Sequence, residues 1–193
     1  KVLYLGGPPG NPVDVGEITG MEKIVQEFPE IEVLDNVSPK SWPVTNWDPA
    51  TSKQVAGTLL AKYPEINGIL MGDGQSTASV ISAFQAAGRP IPPVATLEAN
   101  QLGCLWHELK GTPEEFQMAT ISGRNWLGRY AVRKAVAAAN ELPEQGKSTV
   151  DLPLFENSAG GREPVCEESD PPGRYNSNFI MTEKEMNELM GEQ

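Results

Sequence analysis

Short apolar runs alternate with helical stretches along most of this chain, and that alternation restricts its fold more than any other feature. Val2–Leu5 is apolar and leads into Gly6-Gly7-Pro8-Pro9-Gly10, a strand leaving into a loop. From about Val15 to Phe28, Ile18, Met21, Ile24, Val25 and Phe28 recur at helical spacing, and Pro29 closes the stretch. Ile31–Val37 reads as the next strand, followed by a polar loop, Ser38–Pro49, that carries Trp42 and Trp47. A helix over Thr51–Tyr63 presents Val55, Leu59 and Leu60 and stops at Pro64. The pattern then gives a strand at Ile66–Met71, a small-residue helix at Ser76–Ala87 ended by Gly88, and strands at Pro93–Leu97 and Phe116–Ser122. A helix from about Trp126 to Glu141 and a last strand at Val150–Phe155 complete it. Strands joined by covering helices make a parallel sheet with helices on both faces, an α/β fold whose ligands sit outside the carboxyl ends of the strands. The loops that matter are therefore Gly6–Asp14, Ser38–Asp48, Gly72–Gln75, Leu97–Gln101 and Ser122–Asn125. The Gly-, Pro-, Asn- and acid-rich segment Glu156–Asn178 is assigned no regular structure. Thr182 and Glu185 have capping-box spacing for a short terminal helix.

Fifteen basic against 26 acidic residues give a net charge of −11, which repels a phosphate backbone and argues against nucleic acid as a partner. The acidity fits solubility in an exposed compartment, or simply an ordinary solvated surface. No apolar run approaches the ~18 residues of a membrane helix, so direct insertion is not expected. The chain starts inside a strand at Lys1 with no initiator Met; it is expected to be a fragment, and its lack of a leader says nothing about export.

Catalytic patterns are weak. His107, the single histidine, sits in a Trp-His-Glu setting on a predicted helix with no nucleophile motif beside it. The glycine-rich stretch after the first strand lacks the Lys-Ser/Thr of a phosphate loop, and its two prolines remove N–H donors. Asp73 and Glu98 fall at strand ends, where carboxylates can hold sugar hydroxyls as readily as do acid–base work. No enzyme activity, metal or cofactor is expected. The tryptophans are more telling: indole faces stack on sugar C–H surfaces, while Asn46 and Asp48 supply polar partners, although either ring can equally cap the core beneath its loop. The two cysteines, Cys104 and Cys166, lie 62 positions apart; they are either two reduced thiols or a disulfide that staples the irregular tail to the globular part, as an oxidising compartment allows.

The run Leu59-Leu60-Ala61-Lys62-Tyr63-Pro64-Glu65-Ile66-Asn67-Gly68-Ile69-Leu70 resembles the helix–strand unit of type I periplasmic sugar-binding proteins of the ribose-binding type. Gly72-Asp73-Gly74 followed by Ala83-Phe84-Gln85-Ala86-Ala87-Gly88 is similar to the family's Asn-Asp turn and its next helix, and Ala119-Thr120-Ile121-Ser122 to a strand that crosses between lobes. The likeness covers about residues 1–155. It implies an extracytoplasmic receptor of an ABC transporter, monomeric when full length, that binds a sugar or polyol between two Rossmann-like lobes and meets a membrane permease. On this reading residues 1–121 form the C-terminal lobe, 122–149 a hinge and a helix that packs on an N-terminal lobe missing from this chain, and 150–193 a final strand and irregular tail. The resemblance implies ligand contacts at Trp47, Asp73, Glu98, Asn100, Ser122 and Asn125. Gly72 stands where the family has a sugar-binding Asn, Ala99 where it has an Asp, and the usual Arg is missing from Asp14-Val15-Gly16-Glu17. The effector domain of a LacI-type regulator shares the fold, but would normally end before a Cys-bearing tail. A Rossmann-like enzyme using Asp73 or Glu98 is a third reading.

Overall fold

The computed structural model describes residues 1–35, 42–121, 124–143, 154–176 and 184, with backbone alone at 124–126. The elements are β1 (Val2–Leu5), α1 (Pro12–Glu27), β2 (Val33–Leu34), α2 (Pro49–Lys62), β3 (Gly68–Met71), α3 (Gly74–Ala86), β4 (Val94–Leu97), α4 (Asn100–Leu109), β5 (Met118–Ile121), α5 (Arg124–Ala139) and β6 (Leu154–Asn157), with a 3-10 turn at Ser158–Gly160. Three helix starts follow from local chemistry. Asn11, Asp48 and Asp73 each turn a side-chain oxygen onto a first-turn amide, of Val13 (2.8 Å), Thr51 (2.7 Å) and Ser76 (2.8 Å). Pro12 and Pro49 occupy the first turn, where a missing N–H costs nothing. This moves the start of α2 two residues ahead of the expected Thr51.

The sheet runs β2-β1-β3-β4-β5-β6. Its first five strands are parallel, as expected; β6 departs from the expectation and pairs antiparallel with β5. The tail assigned no regular structure begins with ordered elements: β6 runs to Asn157, and Asn157 bridges Arg162, whose guanidinium donates to the carbonyls of Leu154 (2.6 Å) and Phe155 (3.3 Å). The strand expected over Ile31–Val37 pairs at Val33 and Leu34. Residues 36–37 and 150–153 of the expected strands, and Thr182 and Glu185, lie outside the described residues.

Alternate strand residues face opposite ways. Leu3, Leu5, Ile69, Met71, Val94 and Met118 join Leu59, Ile81, Phe84, Leu102 and Trp106 from α2, α3 and α4 in the main core. On the other face a smaller cluster joins Tyr4 to Ile18 and Met21 of α1, with Leu70 half-buried beside it.

The tail after β6 folds back along α4. Cys104 and Cys166 are disulfide-bonded, as one of the two readings had it. At Gly103 the carbonyl of Val165 approaches so closely that a side chain would overlap it. His107 Nε2 lies 2.6 Å from the Pro164 carbonyl, a structural contact. Unlike α1, α2 and α3, α4 has no side-chain N-cap; the tail carbonyls of Arg174 (2.9 Å) and Pro172 (2.8 Å) accept from the amides of Asn100 and Gln101 instead.

Candidate functional site

From β1 the chain turns outward through α1 and β2. From β3 it moves the other way through α3. Their helices lie on opposite faces, so a crevice opens at the carboxyl ends of β1 and β3, the switch point where open α/β sheets bind ligands.

The floor of this crevice is glycine because large side chains press on it. An added methyl at Gly7 would overlap the Trp47 indole, and one at Gly6 the Trp42 indole. At Gly72, the end of β3, a Cβ would come within 2.5 and 2.8 Å of the two carboxylate oxygens of Glu17.

The Trp47 loop is pinned to β1. Thr45 is fully buried; its amide and hydroxyl each donate to the Gly6 carbonyl at 2.8 Å, and its hydroxyl accepts from Trp47 N at 3.2 Å. Asn46 and Trp47 then take consecutive φ values of +55° and +54°. Asn tolerates that region, whereas for Trp it stores on the order of 1 kcal/mol or more of strain, a cost found mostly at functional sites. The indole packs half-buried against the main core, and its Nε1 is buried without a hydrogen-bond partner among the described residues. Trp42 meets Tyr4 edge to face at 6.0 Å.

Beneath the loop after β1, buried Asp14 accepts from Gly7 N (3.0 Å) and from the Tyr4 hydroxyl (2.9 Å), which also lies 3.1 Å from Glu17 Oε2. Burial, then the carboxylates of Glu17 and Asp14, push the Tyr4 phenol up, so it stays a donor.

The expected site residues divide. Trp47 and Asp73 come together at the switch point, Asp73 with its carboxylate spent partly on the first turn of α3. Glu98 directly follows β4, 1% exposed, its amide donating to the Ile121 carbonyl at 3.2 Å. Asn100 is taken up by the tail: its Nδ2 donates to the carbonyls of Glu167 (2.9 Å) and Asp170 (3.3 Å), and its Oδ1 accepts from Glu167 N (2.8 Å) and Asn176 Nδ2 (3.1 Å). Ser122 lies outside the described residues, and Asn125 is described by its helical backbone alone. Tyr4, Gly7, Asp14 and Glu17 were missed. The signal for Glu17 was present as two separate departures from the family pattern, a Gly at 72 and a carboxylate near the missing Arg, which the fold brings together.

Among the described residues no group of three or more His, Cys, Asp or Glu side chains could hold a metal, and no helix is long and apolar enough to cross a membrane.

The family model described as a periplasmic binding protein domain matches residues 1–143. No curated protein sequence matches. Solved structures do, at low identity. An ABC sugar transporter subunit from Rhodobacter sphaeroides is 17% identical with a TM-score of 0.61, over 80% of this chain and 54% of its own. An ABC transporter periplasmic solute-binding protein from Actinobacillus succinogenes, with bound D-allose, is 21% identical with a TM-score of 0.59, over 80% and 51%. A solute-binding protein from Bacillus halodurans, with bound myo-inositol, gives 17%, 0.60, 80% and 50%. The chain thus spans about half the length of these structures.

Proposed function

This chain belongs to the periplasmic binding protein domain family, and from that premise we propose that it is the C-terminal-lobe part of an extracytoplasmic receptor that binds a sugar or polyol and delivers it to the permease of an ABC transporter. Residues 1–121 are the lobe, 122–149 the hinge and the helix destined for the other lobe, and 150–193 the last strand and tail. The observation that carries the reading is a half-buried indole over Gly7 at the end of β1 and a carboxylate over Gly72 at the end of β3, an apolar surface and hydrogen-bond acceptors at the switch point. Trp47 stacks on the sugar, and Asp73 and Glu98 accept from its hydroxyls. Ser122 and Asn125 contribute from the segment that follows β5, while Asn100 acts indirectly by holding the tail. The disulfide and the family support a location in the periplasm or its equivalent. A binder needs no turnover, and none is assigned to these groups.

Calorimetry on the full gene product tests this, with a panel that includes D-allose and myo-inositol. One member should bind, and Trp47→Ala should weaken it at least tenfold through loss of stacking area. A panel with no binder, or an unaffected Trp47→Ala variant, refutes the reading.

A further inference from the structure

We infer that tail segment 170–176 is a positioning clasp of the binding site, anchored by Asn100. It holds the turn after β3 and the turn after β4 together, so that Asp73 and Glu98 keep one fixed spacing for the ligand. The clasp adds a positioning element to the receptor reading above and rests on it.

Asp73 and Glu98 stand on neighbouring strand ends that already press on each other. At Gly74, next to Asp73, a Cβ would lie 2.3 Å from the Leu97 carbonyl oxygen and 2.9 Å from the carbonyl carbon of Glu98. A shift of either turn is thus felt by the other. The start of α4, two residues beyond Glu98, has no side-chain cap of its own. The amides of Asn100 and Gln101 donate instead to the carbonyls of Arg174 (2.9 Å) and Pro172 (2.8 Å). Between these two tail residues, Gly173 sits against the other helix: a Cβ there would come within 2.9 Å of Gln75 Oε1, two positions after Asp73. One short stretch of tail therefore touches the first turns of both α3 and α4, the helices that follow the two carboxylates.

The rest of the tail makes this contact firm. Asn100 is 3% exposed. Its Nδ2 donates to the Glu167 and Asp170 carbonyls, and its Oδ1 accepts from Glu167 N and Asn176 Nδ2, so each of these partners belongs to the tail. One turn further along α4 the Cys104–Cys166 disulfide ties the same two segments covalently, with the Val165 carbonyl packed over Gly103. The Val165 amide is held in turn by Glu156 Oε1 of β6 at 2.8 Å. Such a clasp cannot lift without breaking buried hydrogen bonds. A site already set in its binding geometry binds more tightly, because apparent affinity falls with the fraction of molecules that hold that geometry.

The test is calorimetry on the full gene product with D-allose or myo-inositol, whichever the wild type binds, alongside thermal unfolding of every variant. Asn100→Ala, and separately Cys104→Ser with Cys166→Ser, should weaken binding about tenfold at a temperature where each is folded, as when about a tenth of the molecules hold the binding geometry. Pro172→Gly, an exposed change that only loosens the stretch, should weaken it about threefold. Phe116→Ala is the control for stability. Its buried ring lies two positions before β5, at the opposite edge of the sheet from the crevice. It should lower the unfolding temperature while affinity stays within about twofold, as for distant sites. If the tail variants bind like the wild type, or if Phe116→Ala weakens binding as much as they do, the clasp is refuted; Trp47→Ala should still weaken binding, and the receptor reading stands. If neither compound binds the wild type, both fall.

Discussion

The face of the sheet under α2, α3 and α4 and the face bearing α1 are built from alternate residues of the same strands, yet they meet different surroundings. On the first, Leu3, Leu5, Ile69, Val94 and Met118 are all but sealed by Ile81, Phe84 and Leu102. The second, beyond the contact of Ile18 and Met21 with Tyr4, holds an open trough of about 610 Å³ lined by apolar groups of Val2, Ile24, Leu70, Ala95 and Ala119. The covered face holds most of the buried apolar side chains among the described residues. The open one has room to change, and its carboxyl rim is where Glu17 crosses to Gly72.

Substitutions should separate the two faces. The largest effect belongs to Phe84→Ala on α3, where a ring 1% exposed leaves a cavity; it should cost about 3–5 kcal/mol in urea unfolding. Leu70→Ala, across the same sheet on the open face, should cost well under half of that. Equal losses would show that the faces do not differ in packing.

The tail belongs to the covered side, and the disulfide tests how firmly. Cys104→Ser with Cys166→Ser should lower stability by about 2–4 kcal/mol, because a 62-residue separation is no longer closed in the unfolded chain. Limited proteolysis should then cut within 162–176 first. A double variant as stable and protease-resistant as the parent would mean that the hydrogen bonds of Asn100 and the close packing at Gly103 hold the tail unaided.

What the sequence made legible follows this same division. Strand alternation, helical apolar spacing and the helix-stopping prolines are local signals, and they located β1, β3, α1, α2 and α3 within a few residues; the caps at Asn11, Asp48 and Asp73, which start the helices two or three residues earlier, went unread. Helix α4 had a readable apolar stripe in Leu102, Trp106 and Leu109, but its start signal is supplied about 70 residues later by Pro172 and Arg174, which no local pattern contains. The same distance hid the fate of Asn100, a candidate ligand contact whose side chain the tail occupies. Likewise, Gly72 and Glu17 read separately as lost family contacts. Their complementarity depends on α1 lying beside the end of β3, a fact of three-dimensional placement.

A smaller effect should come from Glu156 on β6. Burial raises its carboxyl above the ordinary value, against the opposing hydrogen bonds from Val165 N (2.8 Å) and Thr120 Oγ1 (2.7 Å). A carboxyl raised in the folded state contributes stability below its unfolded value near 4.5, and that contribution is lost as pH rises through the folded value. Glu156→Gln should therefore gain on the wild type between pH 4 and pH 7. A stability difference that stays flat over this range would mean that the hydrogen bonds cancel the burial.

The smallest effect should fall on the open face, and for that reason it is the most discriminating. Ile24 lines the trough yet is 47% exposed, so Ile24→Ser removes little packed surface and should change stability by no more than about 0.5 kcal/mol. The same change should make the trough wetter and reduce binding of an apolar dye such as ANS, because part of its apolar lining is gone. A loss above about 1.5 kcal/mol would require Ile24 to be packed in solution, and the trough would then be closed by the chain itself. A small loss together with reduced dye binding fits a face that does little for folding and is free to vary around the crevice at its rim.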